Sequence, residues 1–257
     1  MNLEYFLKTY LRERPLFLSL IRAKEALLYQ KYLPLKKPIL DVGCGDGFFA
    51  KVAFGKKYID VGLDVEDSRV EEAKNLGVYK KIVIYDGQKI PFPDKYFSTV
   101  VSNSVLEHVS DLDIVLKEIY RVLKPGGLFI TIVMAKPWEE NLFGAKLLGD
   151  FYKKWMRRKQ VHVNLLKKEE WDNEFRKAGL KIGETVGHLT PISCRWIDLL
   201  HYISIPSLLS YKLFGKWVLF PDLAKNIYPL KYLAKIVSEN VPSEKSGAIF
   251  YVLKKRI

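Results

Sequence analysis

The spacing of apolar residues divides the chain into a helical start and a longer stretch in which strands and helices alternate. Residues 3–33 carry apolar side chains at helical spacing, with Pro15 at the start of a second helix and Pro34 just beyond its end. Short apolar runs then predict strands at 39–42, 58–63, 81–85, 97–103 and 128–134, and helical segments at 47–54, 67–76 and 111–123. This alternation predicts an open, doubly wound and mostly parallel α/β sheet.

The pattern becomes less regular after residue 135. Helices are predicted at 145–159 and 167–178, and strands at 180–186 and 248–253. We expect a single domain over residues 1–257. Its predicted parts are a helical cap at 1–37, a ligand-binding core at 38–135, the remainder of the sheet at 136–189 and 244–257, and an aromatic-rich helical lid insertion at 190–243.

The composition is that of an ordinary globular protein. Of the 257 residues, 49% are hydrophobic and 28% are charged, which excludes a disordered tail protein or a disulfide scaffold. Two cysteines fit a reducing compartment. We find neither a signal peptide nor an uninterrupted apolar run of about 20 residues, so a cytoplasmic location is expected.

Positive charge is concentrated in the second half of the chain. The net charge is 42 − 29 = +13, of which 1–135 contribute 20 − 17 = +3 and 136–257 contribute 22 − 12 = +10. The five tryptophans also lie after residue 135. This asymmetry indicates that an anionic partner would meet the second half, but it does not distinguish a phosphate, a membrane surface or RNA.

A glycine-rich turn, Asp41–Gly47, follows the first predicted strand. It reads Asp-Val-Gly-Cys-Gly-Asp-Gly, so it lacks the third glycine of the dinucleotide fingerprint G-x-G-x-x-G, whose place is taken by Phe48. Its carboxylates, Asp41 and Asp46, would repel a pyrophosphate but attract a cationic group. The turn therefore favours a ligand with a positively charged end and disfavours a nicotinamide dinucleotide.

Acidic residues also end the next two predicted strands. Asp64 lies 17 residues after Gly47 (64 − 47), where a carboxylate accepts hydrogen bonds from ribose hydroxyls. Asp86 is placed to accept a hydrogen bond from the exocyclic amine of a purine. A cationic end, a ribose and an adenine together describe S-adenosylmethionine (SAM).

Five segments in order resemble the class I SAM-dependent methyltransferases, in particular the type 11 group. They are Ile39–Gly47, Val61–Asp64, Ile90–Asp94, Ser104–His108 and Glu118–Gly127. The resemblance implies a Rossmann-like sheet of seven strands with the last strand antiparallel to the others.

The resemblance also assigns a role to each candidate cofactor-binding residue. Gly43, Gly45 and Gly47 would approach the methionine part of SAM, and Asp41 would orient its amino group. Asp64 would bind the ribose hydroxyls. The remaining members are Cys44 (through its backbone), Val65 (next to Asp64), Asp86, Gly87 and Gln88 (at the adenine), and Asn103 and Ser104 (near the sulfonium).

Candidates for acid–base chemistry are few, because methyl transfer depends mainly on proximity and alignment. His108 is the candidate general base, although a structural role in the pocket wall explains it equally well. His162 is first a pocket residue and only second a base. We see no cluster with metal-ligand spacing, so no metal is expected.

The acceptor is predicted less sharply than the cofactor. We expect a small or lipid-like molecule because the 190–243 segment is apolar, and the positive charge is compatible with an anionic one. RNA is an alternative favoured by the charge, and a catalytically silent SAM-binding partner subunit is an alternative of another class. Peripheral contact with a membrane and the oligomeric state both stay open.

Overall fold

A computed structural model describes residues 1–56, 58–66 and 69–256, without the side chains of 224–226. The helices of these residues are α1 (Leu3–Leu11), α2 (Leu16–Tyr29), α3 (Phe48–Phe54), α4 (Val70–Leu76), α5 (Leu112–Val122), α6 (Pro137–Glu140), α7 (Phe143–Lys159), α8 (Lys168–Lys177), α9 (Pro191–Ile203), α10 (Ile205–Phe214), α11 (Pro221–Ile227) and α12 (Leu230–Ser238). The strands are β1 (Ile39–Val42), β2 (Ile59–Val65), β3 (Tyr79–Tyr85), β4 (Phe97–Asn103), β5 (Leu123–Met134), β6 (Leu180–His188), β7 (Asn240–Val241) and β8 (Ala248–Lys255).

The strands of the described residues form one mixed sheet in the order β3-β2-β1-β4-β5-β8-β6-β7. Neighbours from β3 to β5 pair in parallel, and β8 runs antiparallel to both β5 and β6. The predicted doubly wound sheet with an antiparallel last strand is therefore confirmed. The predicted count of seven is wrong by one, because the two residues of β7 pair with Gly187 and His188 at the edge of the sheet. Two residues are too few to show alternation.

Several predicted boundaries shift for identifiable reasons. β5 begins at Leu123, five residues early, because the Lys-Pro-Gly-Gly segment stays in the strand through an irregularity opposite Phe97. Helix α4 begins at Val70, whereas the predicted start at Asp67 lies outside the described residues. Helix α7 is interrupted at Gly149, whose φ of 57° and ψ of −137° are not helical.

Apolar side chains cover both faces of the sheet. On one face, Tyr29 of α2 is fully buried and meets Phe250 of β8 edge-on, with ring centroids 5.3 Å apart. On the other face, Trp171 and Phe175 of α8 stack at 5.8 Å. Burying one such aromatic side chain stabilises the fold by about 1.5–3 kcal/mol. This packing places α2 against the carboxyl end of β4, where the Tyr29 hydroxyl donates to the Ser102 carbonyl at 3.3 Å.

The helices between β6 and β8 expose many apolar side chains. Leu213, Phe214 and Phe220 are each more than 60% exposed. Within the described residues, no helix combines the length and the apolar character needed to cross a bilayer.

Candidate cofactor site

The glycine turn between β1 and α3 has a left-handed backbone at each of its glycines. The φ angles are 76° at Gly43, 51° at Gly45 and 74° at Gly47. At Gly43 a Cβ atom would lie 2.3 Å from Cγ2 of Val105, so only glycine fits between the turn and the segment after β4. The backbone N–H groups of Gly43 and Cys44 donate to the Leu63 carbonyl at 2.8 and 3.1 Å, which fixes the turn against the end of β2.

Asp64 ends β2 beside this turn. Its Oδ2 accepts a hydrogen bond from the Gly45 N–H at 2.6 Å, and its Oδ1 accepts one from the Val65 N–H at 2.8 Å. Charge-assisted bonds of this kind hold a carboxylate in a fixed orientation. The predicted ribose-binding residue is therefore positioned by the same turn that carries the glycines.

Asp41 is buried at the end of β1, where its Oδ2 accepts a hydrogen bond from the Tyr79 hydroxyl at 2.6 Å. Burial raises the pKa of Asp41 to about 7, the Tyr79 hydrogen bond lowers it, and the charge of Asp64 raises it further. A cationic group nearby would favour the ionised carboxylate. The role of Asp41 beside an ammonium group stays a prediction.

Asp46, the second carboxylate of the turn, faces arginines. Nη2 of Arg14 lies 2.6 Å from its Oδ2, and Nη1 of Arg69 lies 3.1 Å from the same atom. Its Oδ1 accepts the Phe48 N–H at 2.9 Å, at the start of α3. The charge of Asp46 is thus compensated within the chain, so the sequence argument for a cationic ligand depends on Asp41 alone.

A cavity of about 390 Å³, called here the strand-end cavity, opens at the carboxyl ends of β2 and β3. Its lining includes the predicted residues Gly43, Asp64, Val65, Asp86, Gly87 and Gln88, together with Val105 and His108. At its rim, Oδ1 of Asp86 accepts the N–H groups of Gln88 and Lys89 at 2.9 and 3.0 Å, and these bonds lower the pKa of Asp86. The structure therefore gathers the predicted ribose and adenine residues around one space.

A second cavity, of about 260 Å³ and called here the glycine-turn cavity, lies under α2. Its lining includes the predicted residues Gly43, Cys44, Gly45, Asn103 and Ser104, and also Arg14 and Arg22. Gly43 and Val105 line both cavities. Two of the predicted cofactor residues, Asp41 and Gly47, line neither cavity: Asp41 is buried below the turn, and Gly47 is the residue just before α3.

Asn103 and Ser104 contact a charged pair that the sequence did not single out. Glu25 of α2 is fully buried and accepts a hydrogen bond from Nδ2 of Asn103 at 2.8 Å. Nη1 of Arg22 lies 2.6 Å from both Oε2 of Glu25 and Oγ of Ser104. The sequence does carry a signal for Glu25: this charged residue lies seven residues after Leu18 (25 − 18), on the apolar face of α2, where a buried charge indicates a specific partner.

His108 lies in the strand-end cavity rather than beside Asn103 and Ser104. Its Nδ1 is 3.0 Å from the Val161 carbonyl oxygen, which can only accept, so Nδ1 carries the proton. Its ring lies 5.1 Å from the ring of His162, whose pKa is lowered to about 4 by burial and by His108. The role of His108 as a base stays a prediction.

Glu107, next to His108, was not selected from the sequence. It is fully buried, and neither carboxylate oxygen has a hydrogen-bond partner of acceptable geometry in the described residues. Burial raises the pKa of Glu107 to about 8, although nearby backbone N–H groups and the Arg22 guanidinium act in the opposite direction. Such a carboxyl group is costly to leave unpaired.

The fold is that of the SAM-dependent methyltransferases with a Rossmann-like sheet. Residues 40–131 match the family model described as "Methyltransferase domain". This match is consistent with the class I SAM-dependent methyltransferases of the type 11 group, which the sequence motifs predict.

Named relatives resemble a part of the chain. A sterol 4-C-methyltransferase of Caenorhabditis elegans is 40% identical over 103 residues, which are 38% of this chain and 31% of the relative. A ubiquinone/menaquinone biosynthesis C-methyltransferase of Paraburkholderia phytofirmans is 33% identical over 109 residues, 39% of this chain and 44% of the relative. The chain thus spans less than half the length of these relatives.

The fold similarity extends over almost the whole chain. A SAM-dependent methyltransferase of Thermotoga maritima superposes with a TM-score of 0.60 at 20% identity, covering 98% of this chain and 97% of that one. The likeness concerns the fold alone, and it includes the segments outside residues 40–131.

Proposed function

We propose that this chain transfers a methyl group from SAM to a small, lipid-like acceptor by in-line displacement. When bound, SAM supplies a methyl carbon that its sulfonium has already activated. The observation that carries the proposal is the position of Arg14, which lines the glycine-turn cavity and also an apolar groove under α10 and α11. A cofactor space and an apolar space therefore adjoin at one residue.

Different residues of the two cavities would bind different parts of SAM. Asp64, held by the Gly45 and Val65 N–H groups, would accept the ribose hydroxyls. Asp86 and the Gly87–Gln88 backbone would hold the adenine at the rim of the strand-end cavity. The glycine turn, with Asp41 below it, would hold the methionine part, since the open side of Gly45 allows close approach to the backbone.

The apolar groove supports a lipid-like acceptor. It has a volume of about 260 Å³, and Leu11, Leu16, Leu219, Phe220 and Leu223 contribute to its lining. Its cation, Arg14, is paired with Asp46 at 2.6 Å, so the groove favours an apolar group over an anion. The relatives named for sterol and quinone methylation fit this preference.

Chemistry in this site rests mainly on positioning. Aligning an acceptor with the methyl donor removes much of the entropic barrier of a bimolecular reaction. Glu25 and Arg22 fix the Asn103 and Ser104 side chains, and these residues line the cavity that adjoins the groove. A general base is needed only if the acceptor atom is a weak nucleophile, and His108 is the proposed candidate.

RNA is the main competing acceptor, and the contacts of the basic segment in α7 weaken it. Arg157 pairs with Glu139, which also pairs with Lys136, and Lys153 pairs with Asp150. Two of the five positive charges in the segment 153–159 are thus compensated by neighbouring acids. A positively charged surface for phosphates is correspondingly smaller than the sequence suggests.

The test combines cofactor binding with acceptor identification. Thermal unfolding should shift upward with SAM and with S-adenosylhomocysteine but not with NAD. Labelled SAM should then label a total lipid extract and leave bulk RNA unlabelled. Absence of a shift with either SAM species would remove the cofactor assignment. A SAM-induced thermal shift together with labelled RNA would identify RNA as the acceptor. A SAM-induced thermal shift with no label in lipid, metabolite or RNA extracts would favour the catalytically silent subunit.

A further inference from the structure

We propose that Glu107, His108 and His162 form a binding site for a divalent transition-metal ion, beside the strand-end cavity. Each side chain offers one ligand atom, and these atoms lie within 4.8 Å of one another. The three residues come from the turn after β4 and the loop after α7, which are more than 50 residues apart in sequence. Nothing in the preceding proposal requires the site, but an ion bound to Nε2 of His108 would take up the lone pair that a general base needs.

The buried carboxylate of Glu107 is the first observation that points to a cation. Its side chain is fully buried, and neither oxygen has a hydrogen-bond partner of acceptable geometry among the described residues. Nδ1 of His162 is likewise buried and has no hydrogen-bond partner among the described residues. Leaving such groups unsatisfied costs about 1–3 kcal/mol each. A cation between them would satisfy both the oxygen and the nitrogen.

The orientation of His108 is the second observation. Its Nδ1–H donates to the Val161 carbonyl at 3.0 Å, which leaves Nε2 with the lone pair. Metal-binding histidines commonly use one ring nitrogen for a backbone carbonyl in this way, because that bond fixes both the tautomer and the ring orientation. His108 is therefore held in the form that a metal ion requires.

The two segments that carry the ligands are already joined by backbone bonds. The N–H groups of Val163 and Asn164 donate to the Glu107 carbonyl at 2.8 and 2.9 Å. Nδ2 of Asn164 donates to the carbonyls of Leu106 and Val109 at 3.1 and 2.5 Å. These contacts limit how far the ligands can separate, so binding would require small side-chain rotations rather than a rearrangement of the loop.

The ligand set determines the class of ion. Two imidazoles and one carboxylate suit Zn²⁺ and neighbouring first-row divalent ions, and they suit Mg²⁺ and Ca²⁺ poorly. Metal–ligand bonds of about 2.1 Å would bring tetrahedral ligand atoms to about 3.4 Å from each other. The nearby Arg22 is ion-paired with Glu25, which reduces its repulsion of a cation. With three protein ligands, a bound ion would keep a fourth coordination position for water.

The experiment is an isothermal calorimetric titration of the full, untagged chain with Zn²⁺ alone, in the absence of SAM. We expect about one ion per chain. Glu107→Gln and His162→Gln should each weaken binding at least tenfold, since even an outer-sphere partner is worth about that much. His201→Gln is the matched control, because His201 lies on α9 and does not belong to the cluster. Co²⁺ should also give the intense visible absorption of a low-symmetry site.

The proposal is overturned if the wild-type chain binds no Zn²⁺ stoichiometrically, or if His201→Gln weakens binding as much as His162→Gln does. Circular dichroism of each variant shows whether it is folded. If Glu107→Gln does not fold, the His162→Gln and His108→Gln variants decide the question alone. Failure here leaves the SAM-induced thermal shift untouched, so the two proposals fail separately.

Discussion

Asn103 of β4 donates a hydrogen bond from Nδ2 to Oε2 of Glu25 on α2 at 2.8 Å, across 78 residues of sequence. Oε2 of Glu25 also accepts a hydrogen bond from Nη1 of Arg22 at 2.6 Å. One buried carboxylate thus connects the N-terminal helical segment to the wall of the glycine-turn cavity. The helices before β1 therefore take part in building the site and do not merely cover it.

Removing this carboxylate should destabilise the fold strongly. In Glu25→Ala, Arg22 would lose its counter-ion and Asn103 would lose an acceptor, and breaking a buried pair costs about 3–5 kcal/mol. The free energy of unfolding in urea measures the loss. Glu71→Ala is the control, because Glu71 forms the same i,i+3 type of pair with Lys74 but is 77% exposed. We expect a change within about 0.5 kcal/mol there, and equal losses in the two variants would contradict the buried network.

The sequence predicts those parts of the site whose residues all lie in one short segment of the chain. The glycine turn and Asp64 follow apolar strands directly, so strand pattern and chemistry locate them together. Glu25 and Asn103 meet only through the packing of α2 on the sheet. Glu107 and His162 likewise come together only in the fold, so ligand spacing along the chain could not reveal them.

Asp64→Ala should weaken SAM binding at least tenfold, about 1.4 kcal/mol, because it removes the acceptor proposed for the ribose hydroxyls. Calorimetric titration with SAM measures the change. Asp60→Ala is a demanding control: Asp60 is also a carboxylate of β2, and it accepts the Ile39 N–H at 2.8 Å and Lys80 at 2.7 Å. It does not line the strand-end cavity, so its loss should lower stability with SAM affinity retained. Unchanged affinity in Asp64→Ala would withdraw the ribose assignment.

The raised pKa of Asp41 predicts a specific pH dependence of stability. An unfolded aspartate ionises near pH 4, whereas burial raises the pKa of Asp41 to about 7 in the fold. Between these values the unfolded chain binds fewer protons, so the contribution of Asp41 to the free energy of unfolding falls as the pH rises and is constant above about 7. Asp41→Asn should therefore gain stability relative to the wild type from pH 5 to 7, by at most about 1.4 kcal/mol per pH unit.

Urea unfolding at pH 5, 6, 7 and 8 tests this dependence. Asp60→Asn serves as the comparison: partial burial would raise the pKa of Asp60, but its hydrogen bonds with Lys80 and the Ile39 N–H keep the pKa below the ordinary value. Its contribution is complete above about pH 4 and is lost only as the pH falls further. The Asp60→Asn difference should thus stay flat from pH 5 to 8. A flat difference for Asp41→Asn as well would mean that Asp41 is ionised in the fold throughout.

The apolar groove gives a prediction about the acceptor alone. Leu223→Arg places a charge in the groove lining and should reduce methylation of a lipid-like acceptor while leaving the SAM-induced thermal shift unchanged. Leu213→Arg makes the same chemical change on α10 at a side chain that is 73% exposed and does not line the groove. Equal loss of lipid methylation in both variants would point to the exposed surface, and not the groove, as the place where the acceptor is met.

Gly43 and Gly45 should respond differently to the same substitution, although both have a positive φ. In Gly43→Ala the new Cβ would lie 2.3 Å from Cγ2 of Val105, so stability should fall by the left-handed strain of about 1–2 kcal/mol plus the cost of the clash. In Gly45→Ala no described atom lies within 4 Å of the new Cβ, so only the strain applies.

We expect Gly45→Ala to have its main effect on SAM binding and a smaller one on the melting temperature, because the added methyl enters the proposed methionine space. Adding Val105→Ala should restore part of the stability of Gly43→Ala and none of the SAM affinity of Gly45→Ala. If the stability of Gly43→Ala is not restored, the Gly43–Val105 contact is not what requires glycine there.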